Sequence, residues 1–284
     1  MKLQDIHFRD PYVVLYKGRY YMCGSSGYTG QGFAVFTADD LHGEWTGPIK
    51  AFDSEQLPHK SEQFWAPEIH FYKDNFYMFA TMQQENGMRG TYILRSTTGN
   101  PEGPYTLHSN GAITPNDWHS LDGTLYVSRD GRPYMVFCHE WVQIQQGTIC
   151  AVALSDDLRE PIGEPQLLIR ASDAHWEHPR KDMMVTDGPF LHRSAGGSLL
   201  MIWSSFTKDN RYVTVVCCSD NGEIDGKWSY LPGFLCQGDS GHGMLFTDKN
   251  GQLTLSLHSP NNSPDERPVF HAVREDQTKG LILL

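Results

Sequence analysis

The chain has 284 residues, 39% of them hydrophobic and 12% aromatic, with 27 glycines and a formal net charge of −11. That charge argues against nucleic acid or an anionic membrane surface as partner, and no run approaches the ~18 apolar residues of a membrane-spanning helix. What remains is a globular protein with enough apolar material for a sizeable core, glycine-rich enough for many turns and aromatic enough to handle flat ligands.

The N-terminus, Met1-Lys2-Leu3-Gln4-Asp5, has no apolar core and enters a strand almost at once, so no secretory signal is expected. The first strand pattern, residues 7–14, places Asp10 at the head of an apolar run. It turns at Lys17-Gly18-Arg19 and returns as Tyr20-Tyr21-Met22-Cys23. Residues 65–72 repeat the phrase from Glu68, turning at Lys73-Asp74-Asn75. It recurs from Asp122 with a turn at Asp130-Gly131, from Asp187 with a turn near Gly196-Gly197, and from His242 with a turn at Asn250-Gly251.

A third period-two run follows each hairpin, at 32–37, 90–96, 147–155 and 212–217. Gly/Pro-Trp/Tyr phrases such as Gly43-Glu44-Trp45 and Gly103-Pro104-Tyr105 then turn the chain into a fourth, outer strand. The fifth unit is thinner: a Pro-rich stretch at 259–265, a strand at 269–273 and a last short strand at 281–284. The heads at 10, 68, 122, 187 and 242 are spaced by 58, 54, 65 and 55 residues. Hairpin repeats of that length are propeller blades. The expected fold is all-β, one five-bladed β-propeller over residues 1–284 with four-stranded antiparallel blades and no long helix.

Inner strands of a propeller run along the axis, so residues at one end of them converge on a common funnel. Here they are Asp10, Glu68, Asp122, Asp187 and His242. One strand-entry Asp is ordinarily a turn residue; five ionisable heads at equivalent positions point to a site. Converging carboxylates repel, which raises one pKa while another stays ionised, and that arrangement supplies an acid and a base to a single bond.

These residues resemble glycoside hydrolase family 43, five-bladed propellers acting on arabinose- and xylose-containing glycans. Arg9-Asp10-Pro11 resembles the family's first-blade motif, which would make Asp10 the general base. Trp65-Ala66-Pro67-Glu68 is similar to the second-blade signature, whose Glu is a pocket or structural group. Asp122 matches the Asp that holds and tunes the acid, and Gly241-His242-Gly243 resembles the fifth-blade motif whose His reaches an axial water or calcium. The resemblance implies an inverting glycosidase of α-L-arabinofuranosidase or β-xylosidase type, an oligosaccharide or plant-glycan substrate, no required cofactor, and at most a structural Ca²⁺ near His242.

One position departs from the pattern. The family's acid is commonly a Glu before Gly-Pro in blade four, and this chain has Asp187-Gly188-Pro189. The shorter side chain sets the carboxyl back by roughly 1.5 Å. Either Asp187 acts from this shorter arm, or Glu140 in Cys138-His139-Glu140-Trp141 has taken the role, or hydrolysis is lost and a sugar-binding propeller remains. A glycoside phosphorylase would need a phosphate pocket, and only Arg9 adjoins a head residue.

Arg9, Trp65, Glu68, Trp118, Trp141, Trp176 and Trp203 are the candidate substrate-binding residues, with Trp118 and Trp176 expected as exposed stacking platforms. Arg180 and the cluster His175-Trp176-Glu177-His178 are further subsite candidates; these histidines lack a zinc-protease spacing. The six cysteines, without paired-thiol metal spacing, read as buried free thiols of a reducing compartment, hence a cytoplasmic location.

Overall fold

The structure is a computed structural model and describes residues 1–26, 31–57 and 59–284. It forms five sheets of four antiparallel strands, each made of strands consecutive in sequence. The inner strands are Arg9–Tyr16, Trp65–Tyr72, Ser120–Val127, Asp187–Arg193 and Gly241–Thr247. Each inner strand touches the inner strands of two other blades, which closes a ring of five.

Turn chemistry sets the hairpins. Tyr16 pairs with Arg19 and Tyr72 with Asn75, leaving two-residue turns whose members, Lys17-Gly18 and Lys73-Asp74, all have positive φ. Such turns carry the right-handed twist of the strands they join. The second strands carry much of the core, and their Phe79, Phe137 and Trp203 are fully buried in the layers between blades. The one α-helix among the described residues is the four-residue turn Trp141–Ile144. All six cysteines are unpaired and five of them are buried.

Among the described residues no strand is exchanged to close the ring. The outer strand of blade five is Gly280–Leu283 from the C-terminal end, while the first residues dock on blade one through Lys2 opposite Glu44 and the terminal amine on the Trp45 carbonyl. Blade five is fastened to blade one by Ser256 Oγ donating to the Pro11 carbonyl at 2.8 Å and by an Arg9–Glu266 ion pair at 2.8 Å.

Each inner strand is irregular near its head. Pairing with the second strand is interrupted after Arg9, Trp65, Asp187 and Gly241, and in blade three around Asp122. At each interruption one residue adopts a left-handed conformation: Asp10 (φ 56°), Ala66 (φ 38°), Asp122 (φ 57°), Gly188 (φ 52°) and His242 (φ 51°). These are β-bulges, which re-aim side chains. They also correct the expected repeat register. The residues equivalent to Asp10, Asp122 and His242 are Ala66 and Gly188, not Glu68 and Asp187. Glu68 lies two positions deeper on its strand, and Asp187 lies one position earlier, equivalent to Arg9, Trp65, Leu121 and Gly241.

Candidate active site

The bulges turn backbone N–H groups out of the ladder, and each needs an acceptor. In four blades it is a side chain from the second strand of the preceding blade. Ala66 donates to Ser25 Oγ (2.6 Å), Asp122 to Thr81 Oγ1 (3.0 Å), His242 to Ser204 Oγ (2.8 Å) and Asp10 to His258 Nδ1 (3.2 Å). The equivalent position in blade three is Cys138, which pairs with Leu121 as Ser25 pairs with Arg9. A thiol is a poor acceptor, and the Gly188 N–H donates instead to Asp122 Oδ2 at 3.0 Å. That bond fixes the Asp122 carboxyl beneath the head of blade four.

Above these bulges lies a cavity of about 680 Å³, lined among others by Arg9, Asp10, Trp65, Asp122, Asp187 and His242. His242 Nδ1 is 3.2 Å from Asp10 Oδ1 and 3.7 Å from Asp122 Oδ2. The Asp10 N–H meets His258 Nδ1 at 3.2 Å, and Nε2 of the same ring lies 3.0 Å from Asn261 Oδ1. Arg9 spans Glu266 and Asn261 at 2.8 and 2.7 Å. Asp10 therefore sits among an imidazole on each side and a guanidinium.

Electrostatics separate the carboxyls. Burial alone would raise the pKa of Asp10, but His242, His258 and Arg9 hold it well below the usual carboxylate range. Burial lowers His242 to about 4, against the opposing pull of Asp10; it is thus neutral at pH 7, with Nδ1–H toward Asp10. Asp187 is raised to about 7, first by burial, then by Asp10 and Glu140, against a hydrogen bond from Tyr212. Burial and the charges of Asp187 and Asp10 raise Asp122 well above the ordinary value. The Asp122–Asp187 pair therefore holds a proton at neutral pH while Asp10 is ionised.

Gly188 is indispensable to this arrangement. A Cβ there would come within 2.6 Å of the His242 ring, in a left-handed conformation that L side chains rarely adopt. Gly188→Ala is expected to destabilise the fold by about 2 kcal/mol or more in urea titrations and to displace His242.

Several expected substrate-binding residues lie elsewhere. Trp203 is fully buried in the core between blades, its Nε1 bonded to Cys217, because its strand position points inward. Glu68 is buried against His70 at 2.8 Å, a consequence of its deeper register, and does not line the cavity. Trp118 stacks on His139 with centroids 4.0 Å apart, and Trp176 packs on Trp203 and Phe234; neither is a free platform over the cavity. Trp141 opens the short helix and also lies off the cavity, as do His175 and Arg180, the latter paired with Asp182. Of the tryptophans only Trp65 lines it, 37% exposed, with the Arg89 guanidinium 5.6 Å from its ring centroid.

Arg89 in turn grips both oxygens of Glu140. Burial raises Glu140, and Arg89 opposes this. An acid doubly engaged by a guanidinium is poorly placed to give up a proton, because the ion pair favours its ionised form.

Tyr212, His258, Arg89 and Glu266 were not legible as site residues. They reach the site from second and third strands and, for Glu266, from the loop before a third strand, with no motif of their own. For calcium near His242, the nearest oxygens are Asp10 and Asp122, and no three or more His, Cys, Asp or Glu side chains converge as a cation cage among the described residues. Such an ion would depend mainly on water for its ~6–8 oxygens.

The sequence profile of glycosyl hydrolases family 43 matches residues 5–275. A probable arabinan endo-1,5-alpha-L-arabinosidase C of Aspergillus clavatus is 25% identical over 280 residues, spanning 94% of this chain and 77% of that one. Among solved structures, an endo-arabinase from Bacteroides thetaiotaomicron superposes with TM-score 0.89 at 34% identity, covering 98% of both chains. An alpha-L-arabinofuranosidase from Lactobacillus brevis shares the fold at TM-score 0.78 and 18% identity, covering 99% of this chain and 97% of that one.

Proposed function

The chain belongs to glycosyl hydrolases family 43 and is a glycosidase, and from that premise we propose that it hydrolyses arabinan by single displacement, with inversion at the anomeric carbon. The observation that carries the mechanism is the split between two carboxyls facing one cavity: Asp10 held ionised, Asp187 held protonated near neutral pH. Asp10 takes a proton from the attacking water, and Asp187 gives one to the departing glycosidic oxygen. Asp122, pinned by the Gly188 N–H, keeps a second carboxyl beside the donor, itself pushed up by burial and by the charges of Asp187 and Asp10. His242 orients Asp10 through Nδ1–H, and the exposed face of Trp65 offers a stacking surface for a sugar ring.

The choice of arabinan over xylan rests on the arabinan endo-1,5-alpha-L-arabinosidase of Aspergillus clavatus and the endo-arabinase of Bacteroides thetaiotaomicron, whose names specify arabinan or arabinase. The test is digestion of linear arabinan, xylan and galactan in parallel, with proton NMR following the first-formed anomer. Release of β-anomeric arabinose ends from the α-linked polymer is expected. Retained α-configuration overturns the mechanism, and turnover of xylan alone overturns the substrate.

A further inference from the structure

Asp187 stands where one methylene is missing from the reach of a Glu, so the direction of its carboxyl matters more than usual. Its Oδ2 accepts a hydrogen bond from the Tyr212 hydroxyl at 3.0 Å. Tyr212 opens the third strand of blade four and is 1% exposed, yet it reaches the cavity wall. A slot in blade five admits its ring: a Cβ on Gly241 would lie 2.5 Å from Tyr212 Cε1. The ring is then clamped by Phe206, at 4.9 Å between centroids, and by His258, stacked at 5.6 Å and 23°. His258 is the same imidazole that receives the Asp10 N–H. One aromatic stack therefore fixes the surroundings of both carboxyls.

We propose that Tyr212 is the positioning residue of the proton donor: its hydroxyl occupies Oδ2 of Asp187, so the transferable proton resides on Oδ1. This rests on Asp187 being the acid, as set out above. Burial, with Asp187 and Asp10 nearby, raises the phenol far above its ordinary value, so it stays protonated and serves Asp187 as a donor throughout the working range. A donor to the carboxylate favours the ionised form, which opposes the upward push of burial. Tyr212 thus sets both which oxygen is acidic and how far the pKa is allowed to rise.

The test is Tyr212→Phe, which keeps the ring and deletes the donor, together with 3-fluorotyrosine incorporated at 212, a nearly isosteric and stronger donor. For Tyr212→Phe the alkaline limb of kcat/KM on arabino-oligosaccharides is expected to move up by about one pH unit. The kcat on these natural linkages should fall about tenfold with KM nearly unchanged, and activated aryl glycosides should lose less. The fluorinated protein should move the same limb down, and it keeps the test alive if the Phe variant folds poorly. A limb that stays in place in the fluorinated protein overturns the proposal, as does equal loss on both substrate classes in a folded Phe variant. Asp187→Asn separates the two claims. If it shows no leaving-group dependence, the acid assignment has failed; if it does and the Tyr212 variants leave the limb unmoved, only the positioning role has failed.

Discussion

Asp10→Asn is expected to lower kcat/KM by about 10³–10⁴ on every substrate, with activated aryl glycosides losing as much as arabinan. A good leaving group removes the need for proton donation but not for an activated water. The amide is nearly isosteric, its side chain still sits beside His242 Nδ1, and its backbone N–H still meets His258. Loss of activity should therefore come with little loss of stability, which thermal denaturation checks. Azide, a nucleophile that needs no base, should restore part of the rate on aryl substrates and give the glycosyl azide of inverted configuration. A variant that keeps substantial activity on aryl substrates without azide would show that water is activated elsewhere.

What the sequence displays of this protein is what short-range chemistry writes into it. Turn residues and period-two alternation mark hairpins, and their recurrence marks blades; both depend on neighbours a few positions apart. The heads were legible as a set but misaligned in two blades, because a bulge shifts register without altering composition. A signal for the true register is nonetheless present. Each left-handed bulge residue precedes Pro or Gly: Asp10-Pro11, Ala66-Pro67, Asp122-Gly123, Gly188-Pro189 and His242-Gly243. Alignment on that second residue places Ala66 and Gly188 in line and puts Asp187 on the neighbouring position.

The tryptophans were harder for a physical reason. Indole suits a core and a sugar platform equally well, and what distinguishes Trp65 from Trp203 is which wall of the blade each faces. That depends on packing between strands of neighbouring blades, tens of residues apart. Tyr212 and Arg89 are invisible for the same reason, since each acquires its meaning only from a carboxyl on a different strand or blade.

The same distance between sequence and site bears on the acid. Asp187→Asn is expected to cut kcat/KM on arabinan by about 10³ and on aryl glycosides with good leaving groups by less than about tenfold. The wild-type profile on arabinan should fall as pH rises through about 7, because Asp187 must be protonated to act and its pKa lies there. In Asp187→Asn that limb should vanish, since no group remains to deprotonate in that range and act as donor. The acidic limb should stay far lower in both proteins, because Asp10 is held below the ordinary carboxylate range. Glu140→Gln is the decisive comparison. Its carboxylate is bound on both oxygens by Arg89, whose guanidinium lies under the Trp65 ring. Removing that charge should disturb the stacking surface and raise KM, with similar losses on natural and activated substrates. If Glu140→Gln instead shows the leaving-group dependence and Asp187→Asn does not, the proton donor sits in blade three, and the carboxyl that Tyr212 holds serves another purpose.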